Sequence, residues 1–367
     1  MNCFEKVSQR LNEWAVRVRG ARGEVIADIT TDTIKDLCGE RYFSLPDKFK
    51  SYIDDYKRRE YTLQSIADYR DHFVHPFHVF WLGYHILDEW RKKKIKPLNL
   101  TEKGDENFNL KVWFVTSIYH DVGYPAEKLE LLVRDFFKTS VGREMNSQFD
   151  WSSVLLAGDN IKDIDELSAL FAKKAKGQDK AKNFEKWFHK RLLEDHDHGV
   201  LTALMLCSQG WKKEDLENFV YEAALAIALH SWRRSSSEQL EFELRPIAVE
   251  DFPLAFYLSY CDSAQEWGRR VLLELMKKKS DPFSIMGLES LLEDIQTDLP
   301  VTKVILRYLA RKENLVANGK TLKEVFDDVG AKFESTWYLK KQSTTKFIIE
   351  GKDKDGFGIG GFGARPL

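Results

Sequence analysis

Seven of the nine histidines fall near four places where an apolar helical run ends or is interrupted, and acidic residues accompany three of those places. A single buried imidazole is more often a hydrogen-bonded core side chain than a ligand. Several in one helical region change that balance, because unpaired buried charge is costly and a shared cation neutralises it. The sharpest case is Trp113-Phe114-Val115-Thr116-Ser117-Ile118-Tyr119-His120-Asp121, an apolar run that closes on an adjacent imidazole and carboxylate. Adjacent helical residues point about 100° apart. Both side chains therefore reach one cation only near the helix end, and Gly123 with Pro125 ends the helix there. The other reading is a capping Asp beside a packing His, since a His-Asp pair alone is common.

Three further elements carry the same residue types. Upstream stands Tyr69-Arg70-Asp71-His72-Phe73-Val74-His75-Pro76-Phe77-His78-Val79. Pro76 suits a first helical position, which places His75 at the mouth of the helix, with His72 and His78 as neighbours. Downstream come Asp195-His196-Asp197-His198-Gly199, where His198 directly precedes an apolar helix, and Ala226-Ile227-Ala228-Leu229-His230, where the imidazole ends one. Last, Asp262 interrupts the apolar helix Phe256-Tyr257-Leu258-Ser259-Tyr260-Cys261-Asp262. Each of these also has a plain structural reading, as a core His or a buried Asp satisfied by neighbouring donors.

In chain order, these pieces resemble the HD-domain superfamily of metal-dependent phosphohydrolases: an upstream His, the dyad, downstream histidines and a final helical Asp. The resemblance covers roughly residues 66–285 and implies metal ligands at His75, His120, Asp121, His198, His230 and Asp262, with His196 in reserve. In that family, extra histidines between the dyad and the last Asp accompany a second metal, as in its cyclic-dinucleotide phosphodiesterase branch. One departure stands out. Gly123-Tyr124-Pro125 directly follows the dyad here, whereas the branch named for that triplet carries it further downstream, so the triplet reads as a turn.

The implied activity is hydrolysis of a phosphoester, a nucleotide or cyclic nucleotide being the expected small-molecule substrate, by a metal-bound water. Imidazole and carboxylate ligands suit one or two divalent cations per chain (Mn, Fe, Ni, Zn or Mg) and argue against a thiolate-bound structural zinc. Asp121 would bridge the cations. Asp71 or His72 could protonate the leaving oxygen, and Arg70 or Arg269 could hold a non-reacting phosphate oxygen. The competing readings are a nucleotide phosphatase or triphosphohydrolase using the same centre, and a non-catalytic nucleotide-binding sensor.

The elements that must position these residues are mostly helical. Val79–Leu87, Val112–Ile118, Val200–Leu206, Tyr221–Leu229 and Leu254–Tyr260 are long apolar runs of helical character, so the expected fold is mainly α, an HD-type helical bundle. Residues 1–65 read as a helical N-terminal region, with Phe4, Val7, Leu11, Trp14 and Val18 at helical spacing, and 66–285 as the phosphohydrolase domain. Residues 286–367 read as a small α+β appendage with a Gly-rich tail. There Val301–Leu309 fits strand or helix, Thr321–Phe333 a helix, and Thr336–Leu339 and Thr345–Glu350 short strands. The polar stretch 145–190, with Lys173, Lys174, Lys176, Lys180 and Lys182, reads as an insertion whose charges face solvent.

Gly356, Gly358 and Gly361 match GxGxxG, but only six residues follow, too few for a helix N-terminus to close on a pyrophosphate. The 56 Lys and Arg nearly cancel the 58 Asp and Glu, which removes the bulk electrostatic case for a nucleic-acid or acidic-membrane binder. Cys3, Cys38, Cys207 and Cys261 show no CxxC spacing and fit reduced thiols, Cys207 and Cys261 within apolar runs. No apolar stretch reaches the roughly 18 residues of a spanning helix, and the expectation is a cytoplasmic protein without a membrane partner.

Overall fold

The computed structural model describes residues 2–18, 21, 23–63, 74–92, 100–101, 106–127, 160–177, 179–195, 197–230 and 247–263, together with C-terminal strands between 292 and 366. The fold is mainly α. Helix α1 spans Cys3–Val18, α2 Gly23–Leu37, α3 Asp47–Leu63, α4 Val74–Lys92 and α5 Glu106–Tyr119. They are followed by α6 Asn160–Ala175, α7 Asp179–Leu193, α8 His198–Cys207 and α9 Tyr221–His230. A turn of helix at Lys213–Asp215 and a π-helical turn at Leu216–Val220 lead into α9. Residues 253–263 form α10.

Local chemistry explains the helix starts. In α1 the Glu5 amide donates to the Asn2 side chain at 2.9 Å while the Asn2 amide donates to the Glu5 carboxylate at 3.0 Å, a reciprocal capping box. The Asp197 carboxylate accepts the Val200 amide and caps α8. Helices α4, α5, α8, α9 and α10 are apolar on nearly every side, and so are central. Helices α1 to α3 bury one stripe. Trp14 packs on Phe77, His78 and Trp81 of α4, the Tyr84 hydroxyl donates to the Phe4 carbonyl, and a single apolar core runs from Phe4 through Trp337.

Gly83 sets the closest approach of the central helices. A Cβ there would meet the Trp113 ring of α5 at 2.3 Å, and the Tyr257 hydroxyl of α10 donates to the Gly83 carbonyl at 2.7 Å. Three helices that carry candidate ligands therefore touch at one residue.

The expected Lys-rich insertion contains α6 and α7, whose Ile164, Leu167, Phe171, Phe184 and Phe188 are buried. Lys173, Lys176, Lys180 and Lys182 are exposed, as their charges suggested, but Lys174 is half-buried and pairs with Glu222 of α9.

At the C-terminal end, β2 Leu292–Gln296, β3 Thr302–Ala310, β5 Thr345–Asp353 and β6 Gly358–Gly363 form a sheet in the order β2-β3-β5-β6, in which only the β3–β5 pair is parallel. Strand β1 (Ile247–Ala248) pairs in parallel with β4 (Trp337–Leu339), which pairs with β7 (Arg365–Pro366). Trp337 is buried edge-on against Phe256 of α10. Of Val301–Leu309, the described residues 302–309 thus resolve as strand. Gly358 and Gly361 of the tail lie in β6, with Glu350 opposite Gly361. The helix expected over Thr321–Phe333 lies outside the described residues. No helix among the described residues is long and apolar enough to cross a membrane.

Candidate metal centre

Six side chains from five separate places in the chain converge. His75 stands in the first turn of α4, His120 and Asp121 in the turn that ends α5, His198 at the start of α8, His230 at the end of α9, and Asp262 near the end of α10. Asp121 is central. Its Oδ2 lies 3.7 Å from His75 Nε2, and its Oδ1 lies 3.5 Å from His120 Nε2, 3.6 Å from His198 Nε2 and 4.0 Å from His230 Nε2. Asp262 Oδ1 lies 2.9 Å from His75 Nε2 and 3.7 Å from His120 Nε2. The rings form a string from His75 to His120, His230 and His198, with successive centroids 5.3–5.4 Å apart.

Three of the four rings are oriented from behind. His120 Nδ1 donates to the Ser117 carbonyl at 2.7 Å, and His230 Nδ1 donates to the Ile227 carbonyl. Both imidazoles end a helix and reach back three residues, satisfying carbonyls that the helix terminus leaves without an intrahelical partner. His198 Nδ1 donates to the Glu127 carboxylate at 2.7 Å. Because a carbonyl or carboxylate only accepts, Nδ1 carries the proton in all three rings, and Nε2 is the atom turned to Asp121. Metal-ligating histidines are held this way, with the second nitrogen bonded to an oxygen behind the ring.

The donor set fits a cation. His75, His120 and Asp121 are buried, and the groups His75/His120/Asp121, His120/His230/Asp262 and Asp121/His198/His230 each bring their ligand atoms within 4.8 Å of one another. Two metal–ligand bonds of about 2.1 Å meeting near the tetrahedral angle hold their donors roughly 3.4 Å apart, close to the 3.5–3.7 Å seen here between three ring nitrogens and Asp121. His120 Nε2 is fully buried and makes no hydrogen bond. A buried polar atom without one is costly, and a shared cation removes that cost. These His and Asp groups could hold a metal ion.

The electrostatics follow from burial and mutual charge. Burial raises the Asp262 carboxyl pKa, but the neighbouring His120 and His75 rings outweigh it and hold the group well below the usual carboxylate range. Burial lowers His120, but Asp121 and Asp262 outweigh it and raise the ring above its ordinary value. Burial likewise lowers His198, but Glu127, Asp197 and Asp121 lift it to about 9. His230 is pushed down to about 4 by burial and by the neighbouring His120 and His198. A cation held by the cluster would take the place of the protons on the raised rings.

The dyad turn is fastened to its surroundings. Tyr56 and Tyr52 of α3 donate to the Asp121 and Val122 carbonyls at 3.3 and 3.4 Å, so the N-terminal region supports the centre directly. The Gly123 amide donates to Thr202 Oγ1 at 2.8 Å, and a Cβ on Gly123 would meet the His198 carbonyl at 2.7 Å. Thr202 and Glu127 were not singled out from the sequence. Glu127 left a faint signal, a carboxylate six residues beyond Asp121, but its partner is distant in the chain. Arg70, Asp71, His72, His196 and Arg269 lie outside the described residues. His78 is buried, edge-on to Trp14, and belongs to no cluster among the described residues that could hold a metal.

Comparison of the chain with protein-family models, with curated proteins and with solved structures finds no match.

Proposed function

We propose that this chain is a metal-dependent phosphohydrolase of the HD kind, hydrolysing a phosphoester, with a nucleotide or cyclic nucleotide as the substrate class. The observation that supports this most is the set of ring nitrogens turned toward Asp121, those of His120, His198 and His230 each with an oxygen acceptor behind the ring. A dedicated site for divalent cations explains that orientation better than packing does.

Two cations would divide the ligands, with Asp121 common to both. His75, His120 and Asp262 serve one, and His198 and His230 the other. The mixed imidazole and carboxylate set suits Mn, Fe, Ni, Zn or Mg. A divalent cation held there supplies Lewis acidity, which brings the pKa of water toward about 7 and offsets charge on phosphate oxygens. The protein's part is orientation. Asp121 turns Oδ2 to His75 and Oδ1 to His120, His198 and His230. The sequence offers no matching Ser or Cys nucleophile, so no covalent enzyme intermediate is expected. Proton donation by Asp71 or His72 and phosphate binding by Arg70 complete the proposal.

Elemental analysis of chelator-free protein tests it. Two metals per chain are expected, falling toward one in His198→Ala or His230→Ala and to near none in Asp121→Asn, with the helical circular dichroism signal retained. In heavy-oxygen water, a single turnover is expected to place one labelled oxygen on the phosphorus of the product, and chelation to stop turnover. A chain that binds no divalent metal overturns the proposal. Metal-loaded protein that hydrolyses neither generic phosphodiesters nor a panel of linear and cyclic nucleotides makes the nucleotide sensor the better reading.

A further inference from the structure

Glu127 sits in the short helical segment 124–127, six residues beyond Asp121 on the same turn. One of its oxygens, Oε2, receives both the ring Nδ1–H of His198 at 2.7 Å and the His198 backbone amide at 3.2 Å. Two bonds from one residue to one oxygen fix the position of the backbone and the orientation of the ring together. Tyr124, from the same turn, meets the His198 ring edge-on with centroids 5.3 Å apart. The α8 terminus already has its own cap, because Asp197 accepts the Val200 amide and is paired with Arg191. Glu127 adds to that cap by accepting the His198 amide. Its shorter bond goes to the ring.

The turn is also anchored independently of Glu127, through the Gly123 amide on Thr202 Oγ1. Asp121 and Glu127 thus approach His198 from its two sides, Asp121 Oδ1 facing Nε2 at 3.6 Å and Glu127 Oε2 on Nδ1. His75, His120 and Asp262 have no such contact with Glu127 among the described residues.

We infer that Glu127 is a positioning residue that builds one of the two cation sites, the one formed by Asp121, His198 and His230, by clamping the His198 ring, and that it leaves the site of His75, His120 and Asp262 intact. The inference rests on the metal reading above. Removing the carboxylate behind a metal-ligating histidine typically weakens metal binding by about 10- to 100-fold, and here the loss falls on one site of two.

Equilibrium dialysis against Zn2+ with elemental analysis reads this directly. Wild-type chain is expected to bind two Zn2+, and Glu127→Gln to keep one at unchanged affinity while the other weakens by about 10- to 100-fold. In a double-mutant cycle, Glu127→Gln adds nothing once His198→Ala is present, as required if it acts through that ring. Histidine nitrogen NMR of the wild-type Zn2+-loaded chain gives a second readout that needs no variant: His198 should carry its proton on Nδ1. Wild-type uptake of two Zn2+ with unchanged affinities in Glu127→Gln overturns the inference alone. So does loss of both ions, an additive cycle, or a His198 proton on Nε2. A wild-type chain that takes up no Zn2+ removes the metal reading and this inference with it.

Discussion

Replacing Gly83 with Ala loads the junction of α4, α5 and α10 with one methyl group. The added Cβ would stand 2.3 Å from Cε2 and Cζ2 of Trp113, where carbon atoms rest at about 3.5–4.0 Å. The ring has no free direction. Trp113 is fully buried, lies 4.7 Å from the Tyr257 ring and donates its indole N–H to the Phe80 carbonyl at 3.0 Å. Overpacking of this kind costs about 1–3 kcal/mol, and an indole donor left unsatisfied in the core about 1–3 kcal/mol more. The better helix propensity of Ala returns roughly 1 kcal/mol. The net expectation is a loss of roughly 3 kcal/mol, read as a lower urea midpoint at unchanged slope. His75, His120 and Asp262 lie eight, seven and five residues from the contact residues of their helices, about 12, 10 and 8 Å along the axes. Zn2+ uptake should therefore weaken in the same variant. A midpoint equal to or above that of wild type would show that propensity outweighs the clash, and would refute the close approach at Gly83.

Two further outcomes concern protons. The His198 pKa in the metal-free chain is raised from 6.5 to about 9, so its contribution to stability is complete below the unfolded value and is lost as pH rises through about 9; Zn2+ uptake at pH 7.5 should release about one proton from this ring. Calorimetry in buffers of different ionisation enthalpy reads that release, and a heat independent of buffer would contradict it. Asp262 is held below the usual carboxylate range, so it stabilises the metal-free fold above the unfolded pKa and loses the contribution as pH falls further. Acid unfolding below about pH 4 should then be steeper in wild type than in Asp262→Asn, and parallel profiles would contradict the ion pair with His75.

Much of the candidate site was legible in the sequence because its residues are out of place where they stand. His120, His230 and Asp262 end or interrupt apolar helices, and a polar group at such a position needs a partner. The helices themselves were legible from periodicity, as with Phe4, Val7, Leu11 and Trp14 on α1. What was not legible depends on pairs distant in the chain. Glu127 and Thr202 look like ordinary surface and helix residues until α8 is brought against the dyad turn. Gly83 looks like a flaw in α4 until Trp113 is placed beside it. Lys174 has the composition of a solvated face, and only the packing of α6 on α9 reveals Glu222 opposite. Thr302–Ala310 was ambiguous alone and becomes a strand through pairing with Thr345–Asp353.

The two imidazoles that finish α5 and α9 by bonding back to Ser117 and Ile227 make helix length a measuring device. One residue inserted between Trp113 and His120 would advance the dyad by about 1.5 Å and turn it by about 100°, carrying His120 and Asp121 together away from His75, His198, His230 and Asp262 while the part of α5 before the insertion stayed in register with α4. The same holds for α9 ahead of His230. Ahead of these two rings, α5 and α9 therefore admit no insertion or deletion that keeps the six side chains together.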